Sequence, residues 1–139
     1  MDADNQTILC FDFGMSKIGV AIGQAITRTA RPLQNIKAQD GIPSWEQIQQ
    51  LIDEWAADAL VVGLPYNMDG SLQDITFAAR KFSRRLEAKF RLPVFLSDER
   101  LTTKEALSLL KDKGNKKTDL DSMAAVLILE SWFREHSHD

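Results

Sequence analysis

Residues 59–64, Ala-Leu-Val-Val-Gly-Leu, carry no polar side chain at either parity of a strand. Successive strand residues point to opposite faces, so a strand apolar at both parities needs both faces covered. This segment therefore predicts an interior strand between layers of helices. The flanking pattern agrees. Ser44-Trp45-Glu46-Gln47 is a capping-box sequence, and Trp45, Ile48, Leu51, Ile52 and Trp55 recur at helical spacing, which predicts a helix to about Ala57. Ser71 to Asp74 has the same form and opens a helix to about Phe90; Val94 to Ser97 is a second short buried strand. Thr102 to Glu105 opens a helix to about Lys113, and Thr118 to Asp121 precedes an almost wholly apolar last helix. Strands separated by helices pair in parallel through crossovers.

The amino-terminal part reads differently. Thr7 to Phe13 and Ile18 to Gly23 are apolar runs about four residues apart, the pattern of two antiparallel strands joined by a tight turn. Thr27 to Ala38 alternates loosely around Pro32 and suits a third strand near a sheet edge. The order β-β-β-α-β-α-β-α-α predicts an α/β fold with a mixed five-stranded sheet, three antiparallel strands followed by parallel additions, and helices packed on it. With 139 residues at 44% hydrophobic, the expected organisation is one domain over residues 1–139, with 1–6 and 135–139 as loose tails. Gln39 to Pro43, Pro65 to Gly70 and Lys113 to Lys117 are the irregular stretches and so the candidate functional loops.

Composition narrows the function classes. No apolar run approaches the roughly 18 residues that span a bilayer, and the first residues lack the basic-then-apolar order of a signal peptide, so a cytoplasmic protein without a membrane partner is expected. A single cysteine, Cys10, excludes an internal disulfide and a cysteine-based zinc site. The net charge of -3 conceals an asymmetry: residues 1–79 hold 4 Lys/Arg against 10 Asp/Glu, and residues 80–139 hold 13 against 10, giving -6 and +3.

Acidic residues stand out at three places. Asp12 interrupts the run TILCFDFG, whose other residues are nearly all apolar or small and where a lone carboxylate is costly unless a cation, a donor or solvent meets it; a metal ligand at a strand end and a cap for the following turn are both consistent. Asp98 and Glu99 fall at the carboxyl end of the VFLS strand, where open α/β sheets place ligands, although an ordinary solvated loop has the same composition. Asp121 fits a capping signature, yet the helix it opens is so apolar that its first turn must border the core. Asp119, two residues away, points to another face and is the weaker candidate. Clustered carboxylates without cysteine or buried histidine select hard cations, Mg²⁺ or Mn²⁺, and suit phosphoryl chemistry.

Asp12-Phe13-Gly14 followed by Ile18-Gly19-Val20-Ala21, then Gly63-Leu64-Pro65 with Asn67-Met68-Asp69-Gly70, Asp98-Glu99-Arg100-Leu101-Thr102-Thr103, and Asp121-Ser122-Met123-Ala124-Ala125 with Ile128-Leu129 together resemble the YqgF/RuvX family over about residues 7–133. The resemblance implies an RNase H-like fold related to the RuvC Holliday-junction resolvases, and a nuclease that processes the 5′ end of pre-16S rRNA in the cytoplasm. It also implies Asp12, Glu99 and Asp121 as the acidic metal site, choosing Glu99 over Asp98. RuvC-type resolvases use four carboxylates, and this pattern offers three plus the poorly placed Asp119. The implied partners are structured RNA and ribosomal particles, with branched DNA as the alternative, for a monomer or a homodimer.

Candidate substrate contacts follow from charge and position. Lys17 keeps one cation beside the first motif, Asn67 lies in the loop after ALVVGL, Arg100 follows the acidic pair, and Lys113, Lys116 and Lys117 precede the last helix. Arg80, Lys81, Arg84, Arg85, Lys89 and Arg91 also supply positive charge, but a solvated helix face is the commoner meaning of such a run. Three decoys drop out. Gly14 to Gly19 spaces like part of a phosphate loop but has Val20 where the lysine belongs, Asp12-Phe13-Gly14 lacks the rest of a kinase, and His136-x-His138 reads as a frayed tail. Two further classes compete with a nuclease: a noncatalytic nucleic-acid or ribosome-assembly factor, and an ATP-binding domain of the actin type, which needs a duplicated fold that 139 residues do not hold.

Overall fold

The computed structural model describes residues 6–64, 74–98 and 120–136. In chain order these form β1 (Thr7–Asp12), β2 (Lys17–Gln24), β3 (Thr29–Gln39), β4 (Ile42–Pro43), α1 (Trp45–Trp55), β5 (Ala59–Leu64), α2 (Asp74–Phe90), β6 (Val94–Asp98) and α3 (Leu120–Glu135). The strands make one sheet in the order β4-β3-β2-β1-β5-β6. β1 to β4 pair antiparallel in sequence, whereas β5 joins β1 and β6 joins β5 in parallel. The mixed sheet expected from the pattern is therefore present, with one correction: it has six described strands, not five. The extra strand is β4, in the stretch expected to be irregular. Asp40 (φ 52°) and Gly41 (φ 79°) both take left-handed backbone, the geometry of a tight two-residue hairpin turn, and pair Gln39 with Ile42. Asp-Gly is the sequence signal for such a turn.

Strand parity divides the core into two layers. Leu9, Phe11, Val20, Ile22, Ile36, Leu60 and Val62 face one side and pack with Ile48 and Ile52 of α1 and Phe82 and Leu86 of α2. Ile8, Cys10, Ala21, Ala59 and Val61 face the other side and pack with Ala125, Ile128, Leu129 and Trp132 of α3. Every residue of β5 is buried, which is why ALVVGL is apolar at both parities. Each large aliphatic or aromatic side chain so buried contributes about 1.5–3 kcal/mol.

Local chemistry fixes the helices. Ser44 Oγ accepts the Gln47 N–H at 3.3 Å and starts α1, as the capping box predicts; Ala56, in left-handed conformation (φ 50°), ends it one residue before the expected limit. α2 is anchored by Phe82, whose ring meets Phe11 edge-on at 5.8 Å and stacks with Trp45 at 6.0 Å. α3 lies close on β2 because Gly23 has no side chain: a Cβ there would come within 2.7 Å of Leu129 Cδ2 and 2.8 Å of the Thr29 carbonyl oxygen. α3 runs through Glu135, and His136 stacks on Trp132 at 4.4 Å. The helix expected over Thr102 to Lys113 lies outside the described residues.

Candidate active site

Asp12 is the last residue of β1 and is half-buried. It pairs with Gly19 of β2 on one side and with Gly63 of β5 on the other. Gly63 pairs in turn with Ser97 of β6. Asp12 shares parity with Ile8 and Cys10, and Ser97 with Phe95, whose ring meets Trp132 of α3 at 5.4 Å. A row Asp12–Gly63–Ser97 thus crosses the carboxyl edge of three parallel strands on the α3 face. Both neighbours of Asp12 in this row and the next strand, Gly19 and Gly63, are glycines, so no side chain of theirs covers it.

α3 brings its first turn to the same level. β2 is irregular between Ile18 and Val20 in its pairing with β3, and the buried Val20 N–H donates to Ser122 Oγ at 3.2 Å. Val20 pairs with Phe11, the residue before Asp12. Ser122 is fully buried and directly follows Asp121, so this bond pins the start of α3 beside the end of β1. Asp121 lies in the first helical turn, as expected from the sequence.

The turn after Asp12 is equally constrained. A Cβ on Gly14 would collide with the Lys17 carbonyl oxygen, so the chain reverses here only with glycine. Met15 and Ser16 carbonyls accept from Gly41 N–H and Ala38 N–H, each at 2.8 Å, which ties the turn to the β3–β4 hairpin. Lys17 opens β2 and is exposed.

Of the residues singled out from sequence, Asp12, Lys17 and Asp121 are thus placed at one edge of the sheet. Glu99, Asn67, Arg100, Lys113, Lys116 and Lys117 lie outside the described residues, as does Asp119. Asp98 ends β6 opposite Leu64, on the other parity from Ser97. Among the described residues no three His, Cys, Asp or Glu side chains are grouped as a metal site. The α2 cations separate: Lys89 Nζ sits 5.0 Å over the Trp45 ring and so contributes to packing, while Lys81 and Arg84 are exposed on the layer opposite α3. Sequence reasoning named Ser122 only within the family motif and gave it no role; its signal was a hydroxyl in the first turn, just before the apolar run Met123 to Leu129.

A mixed sheet with four antiparallel strands leading, parallel strands added beside the first, and a carboxylate ending that first strand is an RNase H-like fold. The solved structures agree at the level of fold. Thermus thermophilus RuvC in complex with a Holliday junction substrate superposes with a TM-score of 0.56 at 15% identity, covering 94% of this chain and 95% of that one. The fowlpox virus Holliday junction resolvase superposes with a TM-score of 0.57 at 16% identity, covering 94% and 99%. The family follows from sequence: residues 6–135 match the RuvX model, described as Holliday junction resolvase, and the chain belongs to that family. A Coxiella burnetii (strain Dugway 5J108-111) relative is 52% identical over 141 residues, with full coverage of both chains, and bears the name "Putative pre-16S rRNA nuclease". A Haemophilus ducreyi relative of the same name is 56% identical over 131 residues, 91% of this chain and 95% of that one. As expected, no described helix is long and apolar enough to cross a membrane.

Proposed function

We propose that this chain is a divalent-metal-dependent nuclease that hydrolyses phosphodiester bonds and processes the 5′ end of pre-16S rRNA in the cytoplasm. Asp12, Glu99 and Asp121 hold Mg²⁺ or Mn²⁺, and Lys17, Asn67, Arg100, Lys113, Lys116 and Lys117 contact the nucleic acid. The observation that carries this reading is the position of Asp12 at the carboxyl edge, on the face against which Ser122 pins the first turn of α3. Asp98 pairs with Leu64, on the parity opposite to Asp12 and Ser97; Glu99 is taken from the family resemblance. The donor set is all oxygen, which fits Mg²⁺ or Mn²⁺ rather than a softer cation. Such ions, when bound as a pair, lower the pKa of water and neutralise charge on the attacking and leaving oxygens of an in-line displacement. The protein's part is to hold the carboxylates on rigid strand and helix ends, orient the phosphate with its cations, and leave room over Gly19 and Gly63 for the strand being cut. The family description favours a second substrate, branched DNA.

The test is cleavage of a matched panel (pre-16S leader RNA, single-stranded RNA, duplex DNA, four-way junction) by wild type and Asp12→Asn, with Mg²⁺, Mn²⁺ or chelator. Metal-dependent cutting that disappears in Asp12→Asn is the expected result, with leader RNA cut fastest. Equal inertness of both proteins, with binding retained, would replace the nuclease by a noncatalytic assembly factor.

A further inference from the structure

Lys17 and Lys37 face each other directly across β2 and β3. The Ala38 N–H donates to the Ser16 carbonyl at 2.8 Å, which makes Ser16 and Ala38 a hydrogen-bonded pair. The next pair, Lys17 with Lys37, is then the non-hydrogen-bonded kind, in which Cα atoms approach to about 4.5 Å and side chains run closest together. Like charges directly opposite on a sheet destabilise it. Both side chains are exposed, and among the described residues neither has a carboxylate partner. The following pair, Ile18 with Ile36, is buried in the layer under α1 and α2, so the two lysines project from the opposite, α3 face. That is the face of Asp12. The backbone beneath them is rigid, since both the Met15 and Ser16 carbonyls are bonded to the β3–β4 hairpin.

Gly19 is the partner of Asp12, and Lys17 lies two residues beyond it along β2. Strand geometry therefore puts the Lys17 Cα about 8 Å from that of Asp12, and the Lys37 Cα, one strand further, about 12 Å away. We propose that Lys17 and Lys37 form a two-cation clamp for the backbone phosphates of a nucleic-acid strand as it leaves the Asp12 edge across β2 and β3. A phosphodiester between the two ammonium groups cancels the repulsion that the empty sheet sustains, so the clamp is unfavourable to folding and favourable to binding. Lys37 is the new element, a residue that sequence gave no reason to single out. The proposal deepens the nuclease reading and rests on it for the identity of the strand.

The experiment measures binding of fluorescent single-stranded RNA, and of DNA with the same sequence, over a series of salt concentrations in chelator, where nothing is cut. Lys17→Gln/Lys37→Gln is compared with wild type and with Lys81→Gln/Arg84→Gln, an equal charge change on the opposite face. Each lost phosphate contact on a single strand lowers the slope of log affinity against log salt by about 0.7, so the clamp variant should lose about 1.4 while the control loses little. Lys37→Gln alone should also raise the urea midpoint, because it relieves the like-charge pair. Equal slope loss in both double variants, an unchanged slope in the clamp variant, a lowered midpoint in Lys37→Gln, or failure of wild type to bind either strand at low salt overturns the clamp. RNA-selective loss assigns the clamp to RNA, and equal loss for both strands assigns it to the shared phosphate backbone. If the slope falls as expected but wild type cuts nothing, the nuclease reading fails and the clamp stands; if wild type cuts and the slope is unchanged, the reverse holds.

Discussion

Replacing Ser122 with alanine tests how the last helix is seated beside the end of β1. The Ser122 hydroxyl accepts the Val20 N–H at 3.2 Å, and Ser122 has no exposed surface. Alanine removes one oxygen and leaves that backbone donor buried without its acceptor. A satisfied neutral hydrogen bond contributes about 0.5–1.5 kcal/mol net, but stranding a buried donor costs about 1–3 kcal/mol, and the second quantity applies here. The oxygen leaves too small a space for water, so no solvent molecule restores the bond. The expected loss is therefore about 1–3 kcal/mol. With a urea slope near 2 kcal/mol/M, typical for a chain of this size, the midpoint falls by about 0.5–1.5 M at unchanged slope. Equilibrium urea unfolding followed by circular dichroism measures it. A change below about 0.5 kcal/mol, or a changed slope, would refute the claim that this bond pins α3. Because Asp121 precedes Ser122, metal-dependent cleavage should also fall at urea concentrations where the variant is still fully folded.

Gly23→Ala should cost about 1–3 kcal/mol, since the new Cβ meets Leu129 Cδ2 at 2.7 Å and the Thr29 carbonyl oxygen at 2.8 Å. Phe82→Ala removes a ring that packs on Phe11, Phe13 and Trp45, and should destabilise by about 3–5 kcal/mol in the same urea assay. Cys10 is fully buried, so its thiol should react with a disulfide reagent only at the rate of global unfolding; fast labelling of native protein would contradict the packing of β1 under α3.

Much of this architecture is local and therefore written in the sequence. The apolar parity of residues 59–64 suits an interior strand, because the run is too short for a helix and is flanked by helical patterns on both sides. The Ser44 and Gln47 spacing starts α1, since the cap bond joins residues three apart. The Asp12 carboxylate was conspicuous because a charge interrupts an apolar run, and the family resemblance was legible because its motifs fall in order along the chain. The tertiary structure alone decided the rest, where the deciding contact lies far away in sequence. β4 is the local exception: Asp40 and Gly41 reverse the chain so that Gln39 pairs with Ile42, a signal present in the residues but too short to carry periodicity. Seating of α3 depends on Ser122 reaching Val20 across 102 positions, and on the absence of a side chain at Gly23. Lys37 gains its meaning only through register, which sets it opposite Lys17 and on the Asp12 face; a one-residue slip would send it to the other side of the sheet.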